Sequence, residues 1–273
     1  EALKSVNYSI SRIKDEYVIM SDCDVICNVD FNDIIENHIK TGADMTLAVK
    51  SVDLTPESAK INVLFDSDED GRVRDILAYP TQFTGRADIG LNIVVMRTDY
   101  LKQIVLDAIA HNYTSLTSDI LARNMKNRNF RVYKYDGYFA CISSFADYYA
   151  HSMELLSDAA ARDALFGVKE RPIYTKVRNS VPAFYAASSS VRNSMIADGC
   201  EIEGSVENSI LFRGVKIGKN ATVKNSIIMQ DSIIGDGAFL NHVITDKNAV
   251  VRDNRMLAGA DVQPFYIQKG QMI

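Results

Sequence analysis

Membrane-length apolar runs are missing from this 273-residue chain, and its N-terminus, Glu1-Ala2-Leu3-Lys4, carries no secretory pattern. Cysteine is scarce. Cys23, Cys27, Cys141 and Cys200 are scattered, which suits a reduced, cytoplasmic setting better than a disulfide scaffold. Cys23-x-x-x-Cys27 has no second pair of ligands nearby and reads as a buried pair of thiols in preference to a metal site. No one sign of charge dominates: 35 acidic residues face 30 basic ones, net -5, with both signs mixed along the chain. That balance argues against nucleic acid or an anionic membrane as the main partner. Neither G-x-G-x-x-G nor a Walker pattern occurs, so no phosphate-cradling loop is evident for a nucleoside triphosphate. The chain does not open on Met and is read as a fragment of something longer. Its length still suffices for two domains, and hydrophobic content of 47% with 24% charged residues is ordinary for a globular protein.

What is present is most regular in the last third, from Val191 to Val251. Aliphatic residues return there about every six positions: Ile196, Ile202, Ile210, Ile217 and Val223, then Ile228, Ile234 and Leu240, then Ile244 and Val250. Neither a helix nor a half-buried strand has that period. A stacked parallel β-helix does, each hexad forming one flat side with one aliphatic pointing inward onto its copy in the next coil. An antiparallel sandwich is the alternative, but no hairpin turn pairs are spaced to support it.

Ahead of this stretch, strands alternate with helices. Tyr17-Val-Ile-Met-Ser21 reads as a buried parallel strand. Asp30 or Asn32 can cap the helix that follows, with Ile34, Ile35, His38 and Ile39 on one face and Gly42 as its stop. Met45–Val49 is the next strand; Ile61–Phe65 and Val73–Leu77 flank an Asp68-Glu-Asp-Gly71 turn. Ile89–Met96 is extended, Thr98 caps a helix to about Ala110, Leu116–Met125 is helical, Phe130–Tyr135 extended and Phe145–Leu156 helical. The pattern predicts a layered α/β domain over 1–157, a linker over 158–179 and the β-helix domain over 180–273.

In open α/β sheets ligands gather beyond the carboxyl ends of strands. The loop there is Asp22-Cys-Asp24, whose carboxylates could hold Mg²⁺ against a phosphate or simply serve as turn and capping groups.

The words carried by these residues point further. Pro172-Ile-Tyr-Thr175, Asn193-Ser-Met-Ile-Ala-Asp-Gly-Cys-Glu-Ile-Glu-Gly204 and Val206-Glu-Asn-Ser-Ile-Leu-Phe-Arg-Gly-Val215 resemble the linker and β-helix entry of the glucose-1-phosphate adenylyltransferase (ADP-glucose pyrophosphorylase) family. The resemblance implies a partial nucleotidyltransferase domain, Rossmann-like with a mixed sheet, lacking the N-terminal nucleotide-binding third. A left-handed parallel β-helix of hexapeptide repeats would follow it. Carried across residue by residue, the family's metal-binding aspartate falls on Asp24, with Asp30-Phe31 as the Asp-aromatic pair beyond it. The Glu-Lys-Pro whose lysine grips the sugar phosphate falls on Ala78-Tyr79-Pro80. The Ser of a Ser-Met-Gly strand start falls on Asp88, and the second metal aspartate on Cys141, whose following Gly-Thr becomes Ser143-Ser144.

Those departures remove a charge-assisted bond worth about 1.5–3 kcal/mol, put a soft thiol where Mg²⁺ wants oxygen, and add a carboxylate beside a dianion. Transfer of this kind rests on metal and cation stabilisation, so the implied catalytic positions Ala78, Tyr79, Asp88 and Cys141 are degenerate and the Asp24 metal site is expected unoccupied. The resemblance is to the regulatory, non-catalytic subunit found beside a catalytic one in some Gram-positive bacteria. It implies a heterotetramer with a catalytic glucose-1-phosphate adenylyltransferase in glycogen biosynthesis, with no cofactor of its own. The alternative is an active enzyme making ADP-glucose and pyrophosphate from ATP and glucose 1-phosphate with Mg²⁺. A hexapeptide acyltransferase would use His242 as base, against a packing role for that side chain. Lys176, Arg178 and Arg192 could hold an anionic effector or be solvated surface charge. Phe239, Phe265 and Tyr266 could serve subunit contact or packing.

Overall fold

A computed structural model describes residues 2–175 and 177–273. Its chain divides into two compact units, Glu1–Gly137 and Tyr138–Ile273, each considered separately below.

The first unit is a mixed sheet with helices. Its strands are β1 (Tyr17–Ser21), β2 (Met45–Leu54), β3 (Val63–Ser67), β4 (Val73–Ala78), β5 (Gly85–Arg97) and β6 (Phe130–Lys134), ordered β4-β3-β5-β2-β6. β1 pairs with β5, from Tyr17 opposite Arg97 to Ser21 opposite Ile93. That pairing is antiparallel, and β1 is only partly buried, so the expected buried parallel strand is corrected on both counts. Among the described residues β5 is its only partner, and a strand with one neighbour keeps one edge outside the sheet. β3 and β4 form the hairpin read from Asp68 to Gly71, closed by the Gly71 N–H to the Asp68 carbonyl at 2.9 Å.

Helix α1 (Phe31–Thr41) starts where Asp30 accepts the Asn32 N–H at 2.9 Å and stops at Gly42, whose φ of 58° needs a residue without Cβ strain. It buries Ile34 and His38 and leaves Ile39 half exposed, so the apolar face is narrower than the spacing suggested. Helix α2 (Thr98–Ala110) buries Leu101, Ile104 and Val105 in one core with Met45, Leu47, Val94, Met96 and Phe130. Thr98 is its first residue and not its cap; its hydroxyl donates instead to the Asp15 carbonyl at 2.6 Å. Leu116–Leu121 is one wide π-helical turn leading into Ala122–Asn124.

In the second unit, Phe184 to Ile267 winds into a parallel β-helix of three five-stranded sheets. Three inward columns run through it. They are Val191-Val206-Val223-Leu240-Leu257, Ile196-Leu211-Ile228-Thr245-Ile267 and Ile202-Ile217-Ile234-Val251. The inward positions of the second column are Leu211 and Thr245 where the hexad reading chose Ile210 and Ile244, and in the third Val251 replaces Val250. The repeat is not a strict multiple of six, because successive coils step by 15 and then 17 residues.

The displaced aliphatics form an outer column, Met195-Ile210-Ile227-Ile244-Tyr266. Ile227 and Ile244 are fully buried although they face outward, because helix α3 (Phe145–Ser157) lays Tyr149, Tyr148 and Met153 over them. The contact boundary consequently falls after Gly137, ahead of the expected 157, and α3 belongs with the β-helix. The expected linker also holds structure: helix α4 (Ala159–Phe166), capped by Asp158.

One corner of the β-helix repeats a two-residue device. Asn193, Asn208 and Asn225 adopt left-handed φ of 43°, 48° and 46°, a conformation asparagine tolerates better than most residues. Their amides run up the stack, Asn193 to Asn208 at 2.7 Å, Asn208 to Asn225 at 3.4 Å and Asn225 to Asn241 at 2.9 Å. The serine after each corner, Ser194, Ser209 and Ser226, accepts a backbone N–H from the next coil at 3.1–3.2 Å. Ser209 and Ser226, the buried members of this set, are therefore satisfied by neighbours along the stack.

Candidate functional site

A cleft of about 670 Å³ opens in the first unit beside the carboxyl end of β1. Ser21 and Asp22 line it from β1 and its turn, Phe65 from β3, Tyr79 from the end of β4, Asn92 from β5, and Thr117 from the π-helical turn. At the start of that turn the Asp119 carboxylate accepts the Thr114 and Ser115 N–H groups, each at 3.0 Å. Those two N–H bonds keep its acidity stronger than an ordinary aspartate's. Phe65 lies over Gly90: a Cβ there would sit 2.8 Å from the ring, so only glycine allows the ring this close.

Two non-glycine residues of the cleft have left-handed backbone, Tyr79 and Asn92, each with φ of 54°. For asparagine this is ordinary; for a bulky aromatic directly before proline it is strained. Tyr79 is held there by its N–H to the Asn62 carbonyl at 3.0 Å, and Asn92 by its carbonyl, which accepts the Asp22 N–H at 3.3 Å. Among the described residues lining the cleft, none is lysine, arginine or histidine, and Asp22 is the one charged side chain.

Of the residues singled out from sequence, Tyr79 lines this cleft, while Ala78 ends β4 exposed beside it. Asp88 does not line it. Its carboxylate takes a hydrogen bond from Ser51, its cross-strand partner, and an ion pair from Lys134 at 3.3 Å. The charge expected to repel a phosphate is thus matched by a cation within its own sheet. Asp24 is half-buried in the turn after β1, and Asp30 is spent as a helix cap. Cys23 is exposed and Cys27 half-buried, with its thiol pushed up by burial, so the two are not a buried pair.

In the second unit Cys141 is a half-buried free thiol at the end of the short strand Phe139–Cys141. Ser143 and Ser144 shape the start of α3: Ser143 donates to the Asp147 carboxylate at 2.6 Å, and the Ser144 hydroxyl accepts the Asp147 N–H at 3.1 Å. Among the described residues no three of His, Cys, Asp and Glu come together as a metal site. Lys176 lies outside the described residues. Arg178 is exposed, and Arg192 pairs at 4.0 Å with Glu207, which also takes Lys224 at 3.0 Å. His242 takes the fourth left-handed corner, φ 54°, in line with the three asparagines. Its Nε2 meets Asp261 at 2.7 Å and its Nδ1 is buried without a partner, so neither nitrogen is presented to an acyl acceptor. Tyr266 is used internally: it stacks on Phe145 with centroids 4.4 Å apart and donates to Asp246 at 3.2 Å. Phe239 is half-buried and Phe265 partly exposed.

Sequence reasoning passed over Phe65, Asn92 and Thr117, which reach the cleft from three separate segments. The Asn-Ser corners were legible in principle, as a dipeptide returning at the coil length.

Known proteins agree with this architecture. A family model described as GlmU-like, C-terminal hexapeptide, matches residues 181–265. Glycogen biosynthesis protein GlgD of Geobacillus stearothermophilus is 36% identical over 259 residues, 95% of this chain and 64% of that protein. The chain is similar to proteins of the glucose-1-phosphate adenylyltransferase family. The GlgD protein of Bacillus subtilis (strain 168) is 30% identical over 213 residues, 78% of this chain and 51% of its own. The glucose-1-phosphate adenylyltransferase of Thermosipho africanus (strain TCF52B) is 28% identical over 213 residues, 77% of this chain and 50% of its own. The chain spans about half to just under two-thirds of the length of these relatives. No helix among the described residues is long and apolar enough to cross a membrane.

Proposed function

We propose that this chain is part of a regulatory, non-catalytic member of the glucose-1-phosphate adenylyltransferase family, acting in the cytoplasm on glycogen biosynthesis as the partner of a catalytic subunit in a hetero-oligomer. The observation that carries the reading is the cleft at Tyr79. A phenol on a strained backbone stands where the family resemblance puts a phosphate-gripping lysine, and none of the described residues lining the walls is a cation. Adenylyl transfer needs positive charge around the transferring phosphates, and a cleft whose one charge is a carboxylate works against it. Cys141 supplies sulfur where the resemblance puts a carboxylate for a hard cation that takes oxygen. The similarity to the Geobacillus stearothermophilus GlgD protein, 36% identical over 95% of this chain, points the same way.

The test is to mix this chain with a catalytic glucose-1-phosphate adenylyltransferase from an organism that also carries a GlgD protein. Co-migration on size exclusion and a changed rate or effector response of the catalytic subunit are the expected results. Separate migration with unaltered kinetics would defeat the proposal.

A further inference from the structure

We infer that the β-helix carries, beside α3, a trough that takes a second helix: an acidic amphipathic helix presented by another protein chain. The surface belongs to the second unit, and its occupancy is independent of the regulatory reading. Residues two apart on a strand face the same way, so the ladder that sets Met195, Ile210 and Ile227 in the outer column sets Ala197, Phe212 and Met229 in a parallel column beside it. The backbone bonds continue through them, the Ala197 N–H to the Leu211 carbonyl and the Phe212 N–H to the Ile228 carbonyl, each at 2.9 Å. α3 leaves this second column open, because the Tyr149 hydroxyl leans the other way, to the Asn225 carbonyl. Two hollows follow, adjacent along the column. One of about 540 Å³ lies over Met195, Ile210 and Phe212, and one of about 480 Å³ lies between Met229 and the Phe145 and Tyr148 rings of α3. Phe212 is 39% exposed and Phe145 56%, so the trough presents aromatic surface to solvent.

Two observations name the occupant. The adjoining column already seats a helix: Tyr149 and Met153 of α3, four residues apart, pack over Ile227 and Ile244. The trough continues that seat and offers the same kind of apolar surface to the same helical spacing. The rim then selects charge. Arg213, half-buried, and Lys247, exposed, stand at coil corners beyond the open column, and neither is ion-paired among the described residues. Against them the first hollow has the exposed Asp198, and Asp246 at the far end is spent on the Tyr266 hydroxyl and the Lys247 N–H. Arg213 and Lys247 are two coils apart, a span of roughly 10 Å. A helix rises by that much in about seven residues, so one lying along the coils meets both cations with carboxylates at i and i+7.

The test is fluorescence anisotropy of this chain with a labelled, staple-stabilised peptide of the α3 sequence, residues 144–158, carrying Ala150→Glu and Ser157→Glu. Those changes set two carboxylates seven residues apart on one flank of a helix whose apolar face this sheet already accepts. Saturable micromolar binding is expected. Phe212→Ser should weaken it about tenfold or more, and Arg213→Glu about fivefold, the second loss shrinking at high salt. Circular dichroism checks that both variants keep their fold. A benzophenone at the Tyr149 position of the peptide should cross-link to Phe212 and Met229. Absence of saturation, or binding unaltered in Phe212→Ser, would overturn the inference. Cross-links to Ile227 and Ile244 alone would overturn it too, by showing that the peptide displaces α3. A chain that dimerises without peptide in sedimentation, and turns monomeric in Phe212→Ser, would give the trough to a second copy and overturn the helix as its occupant.

Discussion

Tyr149 is the side chain on which the attachment of α3 to the β-helix turns. Its ring is 4% exposed against the outward-facing Ile227 and Ile244, and its hydroxyl donates to the Asn225 carbonyl at 2.8 Å, at the corner where the asparagine stack runs. Truncation to alanine removes a buried aromatic and leaves a cavity over two fully buried isoleucines, a loss of about 3–5 kcal/mol. Tyr149→Phe keeps the ring and deletes one hydrogen bond, which costs about 1 kcal/mol. For the second unit these amount to shifts in Tm of about 2–4 °C per kcal/mol. Burial, and then the negative charge of Asp261, push the Tyr149 phenol up to about 12. Between the ordinary tyrosine value and that point the unfolded chain has released the phenolic proton while the folded chain keeps it. Stability therefore falls as pH rises through this window, by up to about 1.4 kcal/mol per pH unit from this group. Urea titrations of the parent and both variants at neutral pH and above pH 10 measure each quantity. Tyr149→Phe should lose less stability than the parent across the alkaline step. A Tyr149→Ala chain as stable as the parent, or a Tyr149→Phe chain with the same alkaline loss, would refute the packing of α3 described above.

His38 is buried, with Nδ1 2.9 Å from Thr46 Oγ1 and Nε2 without a partner, and burial, followed by the charge of Arg97, holds its pKa below the usual histidine value. The unfolded chain then takes up a proton that the folded chain refuses, so stability should drop as pH falls below about 6.5, and His38→Phe should flatten that drop in urea melts. Gly90→Ala should cost about 1–3 kcal/mol in the same assay, because the new methyl meets the Phe65 ring; a neutral result would mean the ring has room to move. His242→Asn should leave stability unchanged or raised, since it continues the asparagine corner, whereas His242→Val should lose about 1–2 kcal/mol to left-handed strain. A reversed order in thermal melts would mean that the imidazole, and not the corner conformation, is what that position needs.

Much of this protein is written locally. Asp30 and Gly42 bound α1, Asp68 and Gly71 close a hairpin, and the recurring aliphatics specify a parallel β-helix, because each depends on bonds or periods within a few residues. The tertiary structure alone decided which of two adjacent aliphatics faces in. Ile227 and Ile228 are equally apolar, and their assignment follows from unequal coil sides and from the helix that covers the outer column. It also decided that β1 runs antiparallel to β5, that Lys134 answers the charge of Asp88, and that Phe65, Tyr79, Asn92 and Thr117 meet in one cleft. Those outcomes join groups far apart in the chain. Local propensity does not encode such meetings, because they depend on where the sheet brings its strands together.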